Sequence, residues 1–308
     1  MATLLSVLKS CKVDGEKVVH LQQEDVDLVQ QRLLLVLDDI IEICDEYDIP
    51  YQMGGGSCLG AVRHQGYIPW DDDIDINLRR RYIPLFLEKF RERFGDKYWI
   101  HVPGQTKGYD YMMIRIMTKD VRARALMESE KDECGLCIDM FPLENTFDNP
   151  VLRRIHGLGV MAYRYALSCI RFRRNRDEMI SLVENSDAFK KYARKRVFLG
   201  RIFGLIPVDV WARGAERWVS MCHNEDSKYV AFAAGQKQFF TEMYLRKDYT
   251  PCVTVPFAGR NVRITADYDA YLTKLYGDYM TIPPVEKREM HPMLELDREA
   301  LRRSLGLE

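Results

Sequence analysis

Residues 54–77 read GGGSCLGAVRHQGYIPWDDDIDIN and join a glycine-rich turn to a run of acids. Four aspartates stand near the end of this stretch: Asp71, Asp72, Asp73 and Asp75. Successive side chains of a strand point to opposite faces, so a strand from residue 73 places Asp73 and Asp75 on one face. The isoleucines at positions 74 and 76 then face the core. The alternation therefore predicts a half-buried strand that carries two carboxylates.

The two carboxylates and the glycine turn point to a metal and phosphate site. Carboxylates held this close repel each other, and a bound cation relieves the repulsion. Oxygen ligands suit Mg²⁺ or Mn²⁺. A glycine-rich turn that leads into a helix exposes backbone N–H groups to phosphate, which makes Gly55, Gly56 and Ser57 candidate phosphate ligands. Ser57 is also a good N-cap, so we expect the following helix to begin there and to cover residues 58–64.

A third carboxylate stands at Asp139, within the apolar run LCIDMF at residues 136–141. A lone acid inside an apolar strand is costly to bury without a partner. One interpretation pairs it with a buried arginine. The other joins it to Asp73 and Asp75 in a shared site, since two-metal phosphoryl transfer needs carboxylates on neighbouring strands. We favour the shared site, in which all three aspartates are catalytic and hold the metal.

Several residues flanking the acids are candidate substrate contacts. Arg63 and His64 are placed to contact a diphosphate, although a salt bridge from Arg63 to the aspartates is an equal alternative. Tyr67 and Trp70 are candidates for an aromatic box around a quaternary ammonium group, by cation–π attraction. The alternative for both aromatic residues is packing in the hydrophobic core.

The C-terminal region carries a second group of candidates in the sequence PPVEKREMH at residues 283–291. Here Lys287, Arg288 and His291 can close over a bound nucleotide from a loop. A solvated tail is the alternative for this segment.

Composition limits the classes to which the 308-residue chain can belong. Hydrophobic residues make up 47%, and 45 basic against 46 acidic residues leave a net charge of −1, so a nucleic-acid partner is not expected. Apolar residues 1–8 are too few for a secretory signal, and the eight cysteines are scattered, which favours a cytoplasmic protein. Cys134 and Cys137 form a single CxxC, which is a weak zinc signal.

Hydrophobic spacing predicts an alternation of helices and strands over residues 1–150. Helices are expected at residues 22–47 and 79–94, and strands at 51–53, 73–78, 98–101, 111–117, 121–126 and 136–141. A hairpin is expected at residues 4–21. Further helices are expected at 209–222 and 268–276, and strands at 250–256 and 260–265.

A basic segment follows residue 150, with thirteen lysines and arginines but only four acids between residues 151 and 207. We expect this segment to be helical. One interpretation is that the segment contacts an anionic lipid or glycan-lipid through residues such as Arg171, Arg173, Arg174 and Arg176. The other is that its charges pair with the acidic remainder of the chain. The sequence thus predicts three regions: a core with the metal site at residues 1–150, the basic helical segment at 151–234, and a segment returning to the core at 235–308.

Three motifs together resemble the LicD family of phosphocholine transferases, which are related to fukutin. They are residues 54–77, GLCIDMFPLE at 135–144 and YGDYMTIPPVEKREMH at 276–291. The resemblance implies an α/β nucleotidyltransferase-like core, with a mixed sheet flanked by helices and a mostly helical insertion. It also implies that Asp73 and Asp75 are the metal-binding pair and that Asp139 is the third carboxylate.

The resemblance implies a function as well. The family moves a phospho-alcohol, usually phosphocholine from CDP-choline, onto a hydroxyl of a surface glycan such as lipopolysaccharide or teichoic acid, and CMP leaves. The expected partners are a CDP-alcohol donor, with choline favoured over ribitol or glycerol, and a glycan or lipid-linked glycan acceptor. We expect a cytoplasmic enzyme, peripheral at the inner face of the membrane. The alternatives are a nucleotidyltransferase that releases pyrophosphate and a non-catalytic protein that binds a membrane or partner.

Overall fold

The structure, a computed structural model, describes residues 18–126, 128, 133–182, 187–288 and 293–307. The strands are β1 (Tyr51–Met53), β2 (Ile74–Arg79), β3 (Tyr98–His101), β4 (Ile114–Thr118), β5 (Ala123–Ala125), β6 (Cys137–Asn145), β7 (Tyr229–Phe232), β8 (Met243–Leu245), β9 (Cys252–Phe257), β10 (Arg260–Thr265) and β11 (Met293–Leu296). The helices are α1 (Gln23–Glu46), α2 (Gly55–His64), α3 (Ile83–Phe94), α4 (Pro150–Arg174), α5 (Arg176–Leu182), α6 (Asp187–Phe203), α7 (Val208–Val219), α8 (Arg246–Tyr249), α9 (Tyr268–Tyr276) and α10 (Arg298–Ser304).

The longest strand, β6, is the centre of a seven-stranded mixed sheet. Along one edge it pairs in parallel with β2, which pairs antiparallel with β1. Along its other edge it pairs antiparallel with β4 and, further on, with β7. Strands β3 and β8 complete the sheet beside β4 and β7. The predicted α/β class with a mixed sheet and flanking helices is therefore confirmed.

Helix α1 supplies one side of the main core. Val29, Val36, Leu37 and Ile40 are completely buried, as the spacing of three and four predicts for an amphipathic helix. The helix contacts α3 and β6. Two small antiparallel pairs, β9–β10 and β5–β11, lie outside the main sheet.

The elements observed agree closely with those the sequence pattern predicts. Strands β1, β3 and β10 and helix α9 have the predicted bounds. Strand β6 is longer than predicted because it runs on to Asn145, where it pairs with β7. A 3₁₀ turn, Arg80–Tyr82, precedes α3 where a continuous helix was predicted. The predicted hairpin at residues 4–21 lies almost entirely outside the described residues.

The basic segment folds mainly as helices, as predicted. The Asn149 side chain caps α4 by accepting hydrogen bonds from the N–H groups of Val151 (2.9 Å) and Leu152 (3.2 Å). Helix α4 packs against α6 and α7, and the chain returns to the main sheet at β7, before the predicted boundary at residue 235. The division of the chain into three regions otherwise stays a prediction.

A three-residue ion cluster joins the basic segment to the sheet. Arg80 binds Glu144 of β6 through two nitrogens, the longer bond being 2.9 Å, and it also binds Glu216 of α7. Glu144 is only 1% exposed, so its charge depends on Arg80 for compensation.

We expect Arg80→Met to lower the free energy of unfolding by about 3–5 kcal/mol, because it leaves a buried carboxylate unpaired. Arg81, an exposed neighbour bonded to the Tyr82 hydroxyl, provides the matched control Arg81→Met. Urea denaturation of both variants measures the difference. Equal midpoints for the two variants would show that the cluster does not stabilise the fold.

Candidate active site

The glycine turn holds the backbone of Asp75 on both sides. Gly54 N–H donates a 2.8 Å hydrogen bond to the carbonyl of Asp75, and the Asp75 N–H donates a 2.8 Å bond to Ser57 Oγ. Helix α2 and strand β2 are therefore tied together at this aspartate. The position of the carboxylate is fixed by two elements rather than by one flexible loop.

Two glycines form a cradle for carboxylates, which we call the glycine cradle (Gly55 and Gly56). Gly55 has φ +44°, and a Cβ atom there would lie 2.5 Å from Asp75 Oδ2. At Gly56 a Cβ atom would lie 2.7 Å from Asp71 Oδ2. Only the absence of side chains allows these two carboxylates to approach the N-terminus of α2, where the helix dipole favours negative charge.

The expectation that Ser57 caps α2 and marks its start is wrong. Helix α2 begins at Gly55, with Gly54 as a cap that makes no side-chain bond, rather than at Ser57. Ser57 is 4% exposed, and its hydroxyl accepts the Asp75 N–H. Because the hydroxyl already holds β2, Ser57 is a positioning residue for Asp75 and does not cap the helix.

The parallel register of β2 on β6 places Asp75 directly beside Asp139. Residues paired in register on adjacent strands share a face, so both carboxylates stand on the same side of the sheet. Asp73 lies just before the first residue of β2, two positions from Asp75. The predicted neighbourhood of these three aspartates is thus present in the fold.

A buried arginine also reaches Asp139. Arg115 on β4 donates from Nε to Asp139 Oδ1 at 3.0 Å, and it binds Glu128 as well. Burial raises the pKa of Glu128, while the Arg115 charge opposes this shift. The predicted arginine partner of Asp139 is therefore observed, and the acid lies beside Asp75, while the shared metal site stays a prediction.

Two of the aspartates, Asp73 and Asp75, suit a magnesium site that substrate phosphates complete. Mg²⁺ is commonly held by one or two carboxylates together with substrate phosphates. The glycine cradle and the pair Asp73 and Asp75 suit that mode. Over the described ranges, no three His, Cys, Asp or Glu side chains are grouped to hold a metal ion, and Asp139 is bound to Arg115. Asp139 therefore does not fit as a third ligand in this arrangement.

Two tyrosines of α9 border the cradle and were missed by sequence reasoning. The Gly55 N–H donates a 2.9 Å hydrogen bond to the Tyr271 hydroxyl. Tyr276 lies near the acids: its pKa is raised well above its ordinary value by burial and then by the charges of Asp75, Asp71 and Asp73. Tyr276 opens the third sequence motif, a signal that could have identified it.

Arg63 and His64 connect α2 to the C-terminal loop. Arg63 Nη1 donates to the carbonyl of Tyr279 at 2.7 Å, and its Nε donates to His64 Nε2 at 2.9 Å. Burial and the Arg63 charge lower the pKa of His64. Within the described part of the chain, no carboxylate lies at ion-pair distance from Arg63, so the alternative of a salt bridge to the aspartates is not observed.

The aromatic candidates have separate partners. The Tyr67 hydroxyl donates to the carbonyl of Gln30 at 3.1 Å, and its ring lies 5.1 Å from that of Phe257. The Trp70 ring instead faces the Arg288 guanidinium at 4.1 Å, which brings one predicted C-terminal candidate to the site.

Four other residues singled out in the sequence have different outcomes. Cys137 Sγ lies 3.8 Å from Asp139 Oδ1, and burial raises its pKa, while Cys134 is buried. The Lys287 side chain and all of His291 lie outside the described residues, and their expected contact with nucleotide stays a prediction.

Comparison with known proteins defines the class of this domain. Residues 48–150 match the model of a family described as LicD/FKTN/FKRP, nucleotidyltransferase domain. The chain is 25% identical over 267 residues to the lipopolysaccharide cholinephosphotransferase LicD of Haemophilus influenzae, a match that covers 85% of this chain and 94% of the relative. The resemblance to the LicD family is therefore confirmed: residues 48–150 match its nucleotidyltransferase domain, and most of the chain is similar to a LicD protein.

Shorter matches involve the rickettsiae. An uncharacterized protein of Rickettsia prowazekii is 35% identical over 71 residues, which cover 23% of this chain and 22% of the relative. An uncharacterized protein of Rickettsia typhi is 46% identical over 46 residues, which cover 15% of each chain.

We expect Gly55→Ala to destabilise the protein by more than the cost of a positive φ alone, because its Cβ would collide with Asp75. Gly108→Ala is the matched control: Gly108 has φ +75°, and its Cβ would meet nothing within 4 Å. Strain alone costs upwards of about 0.4–1 kcal/mol. Thermal unfolding compares the two variants, and equal losses would show that the cradle is not packed against the carboxylate.

Proposed function

We propose that this protein transfers phosphocholine from CDP-choline to a hydroxyl of a surface-glycan precursor, and that CMP leaves. The observation that carries the proposal is the register that sets Asp75 beside Asp139 at the glycine cradle, inside a LicD-type domain. The name of the Haemophilus relative, a lipopolysaccharide cholinephosphotransferase, supports phosphocholine as the group and lipopolysaccharide as the class of acceptor.

The donor is placed with its diphosphate at the N-terminus of α2. Because the Asp75 and Asp71 carboxylates already occupy the glycine cradle, the diphosphate would meet this helix start through a metal ion held by the aspartates. Asp73 and Asp75 are the proposed holders of Mg²⁺ or Mn²⁺, which would offset the charge of the diphosphate. Arg63, tied to the loop carbonyl of Tyr279, would position that loop beside the donor.

The acceptor hydroxyl is placed on the Asp139 side. Its oxygen attacks the phosphorus that carries choline, and the bond from that phosphorus to the bridging oxygen breaks. The bond's electron pair leaves with CMP. The Asp139 carboxylate takes the hydroxyl proton through Oδ2, because the hydrogen bonds to Asp139 from described residues involve Oδ1. Arg115 orients the carboxylate for this step.

A second candidate is transfer of the nucleotidyl group with release of pyrophosphate. The matching family, described as a nucleotidyltransferase domain, favours this reaction. The two reactions differ in the nucleotide product, because phosphocholine transfer leaves CMP and nucleotidyl transfer from CTP leaves pyrophosphate. Product mass analysis with CDP-choline and with CTP separates them.

We expect Asp75→Asn to lower turnover of CDP-choline at least about 10²-fold, because the site loses a charge needed at the diphosphate. Asp139→Asn should lower transfer by about 10²–10⁴-fold and largely preserve donor affinity, since it removes the proton acceptor alone. Asp27→Asn, at an exposed position on α1, is the control for loss of a carboxylate. Calorimetry gives donor affinity and mass analysis gives product.

Two results would contradict these roles. Full activity of Asp75→Asn would show that the active site does not lie at the glycine cradle. Equal losses of donor affinity and turnover in Asp139→Asn would move Asp139 to the donor side.

Of the four arginines predicted to meet anionic lipid, three are exposed: Arg173, Arg174 and Arg176. Arg171 is bound to Asp110 (Nε to Oδ1, 2.7 Å) and stacked on Tyr111, so it cannot meet lipid. No helix within the described ranges is long and apolar enough to cross a membrane. The predicted position at the inner, cytoplasmic face of the membrane therefore needs a peripheral contact.

We propose that this contact is the outer face of α6 and the turn that follows it. Phe198 is 61% exposed and Leu205 is 83% exposed. Exposed basic residues occupy the same face: Lys191, Arg194, Lys195 and Arg201. An apolar face bordered by basic groups fits the surface of an anionic bilayer.

We expect the double variant Lys195→Glu and Arg201→Glu to lose binding to vesicles that contain phosphatidylglycerol, by roughly 1 kcal/mol for each charge removed. Lys247→Glu, at an exposed position outside the segment, is the control. Sedimentation at low and physiological salt is the assay. No vesicle binding by the wild type would eliminate the membrane contact.

A further inference from the structure

A cleft of about 590 Å³ lies between the chain before β4, helices α4 and α6, and the turn that follows β7. Its walls are largely apolar and aromatic, and they include Met112, Met113, Leu158, Met161 and Tyr165. Three arginines also line it: Arg164, Arg171 and Arg196. A cleft of this size and lining is typical of a ligand site.

Arg196 carries a buried charge, and no carboxylate among the described residues pairs with it. It is 9% exposed and donates a hydrogen bond to Ser168 Oγ. Its guanidinium lies 4.6 Å from the centre of the Tyr192 ring and 5.3 Å from that of Tyr165. Among the residues described, no carboxylate lies at ion-pair distance from it. A buried charge of this kind is costly unless something compensates it.

Arg164 is half-buried, and the charge of Glu242 partly offsets the effect of burial on the pKa of its guanidinium. Its Nη1 donates to the carbonyl of Gly235 at 2.5 Å, a neutral partner, and burial lowers the pKa of its guanidinium. No acid within the described ranges forms an ion pair with it. Arg171, on the same helix, shows the contrast, because Asp110 compensates its charge. Over the described ranges, two of the three arginines in the cleft therefore form no ion pair, and Arg196 has no described carboxylate beside it.

Two side chains in contact, Tyr111 and Arg115, connect the cleft to Asp139. The Tyr111 ring lines the cleft and lies 3.4 Å from the Arg171 guanidinium. The Arg115 guanidinium lies 4.4 Å from the same ring and donates to Asp139. A molecule in the cleft would therefore contact Asp139 indirectly, through Tyr111 and Arg115.

We infer that the cleft binds a phosphate group of the acceptor through Arg164 and Arg196, with the apolar and tyrosine walls packing on the group that carries it. Guanidinium groups bind phosphate through paired hydrogen bonds, and the phosphate supplies the missing counter-charge. The inference rests on the proposed function for its role, because it assigns the cleft to the acceptor. The phosphate belongs either to a lipid or to a phosphorylated sugar.

Calorimetry with the full chain tests the site directly, with decyl phosphate and glucose 1-phosphate as probes. The wild type should bind at least one probe, and Arg196→Gln and Arg164→Gln should each weaken binding about tenfold or more. Arg154→Gln is the matched control, since it removes an exposed charge from α4, the helix that carries Arg164. Tighter binding of decyl phosphate assigns a lipid, and tighter binding of glucose 1-phosphate assigns a sugar. Binding of neither probe, or equal binding by all variants, overturns the inference.

Further measurements distinguish loss of phosphate binding from misfolding of a variant and from loss of donor binding. Arg196→Lys keeps the charge and should recover part of the affinity, which a purely structural role would not predict. If Arg196→Gln fails to fold, Arg164→Gln decides. CDP-choline affinity should be unchanged in both arginine variants. Should the wild type fail to bind CDP-choline, the proposed function falls, while the probes still decide whether the cleft takes phosphate.

Discussion

The site depends on the parallel pairing of β2 with β6, which sets Asp75 beside Asp139. Two hydrogen bonds, from Gly54 N–H to the Asp75 carbonyl and from Asp75 N–H to Ser57 Oγ, lock the start of α2 to that register. A slip of one residue would turn Asp75 to the opposite face of the sheet and separate the carboxylates. The glycine cradle follows from the same constraint, since side chains there would displace the acids.

Sequence pattern alone predicted much of this arrangement. The alternation of acids with isoleucines identified β2, and the lone acid in an apolar run identified β6 and Asp139. Local pattern could not show that Ser57 bonds across to Asp75, because that bond depends on where β2 lies beside α2. Likewise, Tyr271 reaches Gly55 from more than two hundred positions along the chain, and only the tertiary fold reveals it.

The basic segment shows how charge counting can mislead. Its excess of arginine suggested one surface for anionic lipid, yet the arginines divide by environment. Arg171 is buried against Asp110, Arg164 and Arg196 lie in the cleft, and Lys195 and Arg201 face solvent. Each of these basic side chains carries the same single positive charge. Burial and partners separate a structural ion pair, a binding site for an anion and a surface for a membrane.

The central claim is that the acceptor oxygen attacks the phosphorus carrying choline. CDP-choline labelled with ¹⁸O at the bridging oxygen tests it, with mass analysis of both products after turnover. The account predicts that the label leaves in CMP, because the bond between the bridge and the choline-bearing phosphorus breaks. Label found in phosphocholine would contradict it, since the attack would then have fallen on the cytidylyl phosphorus.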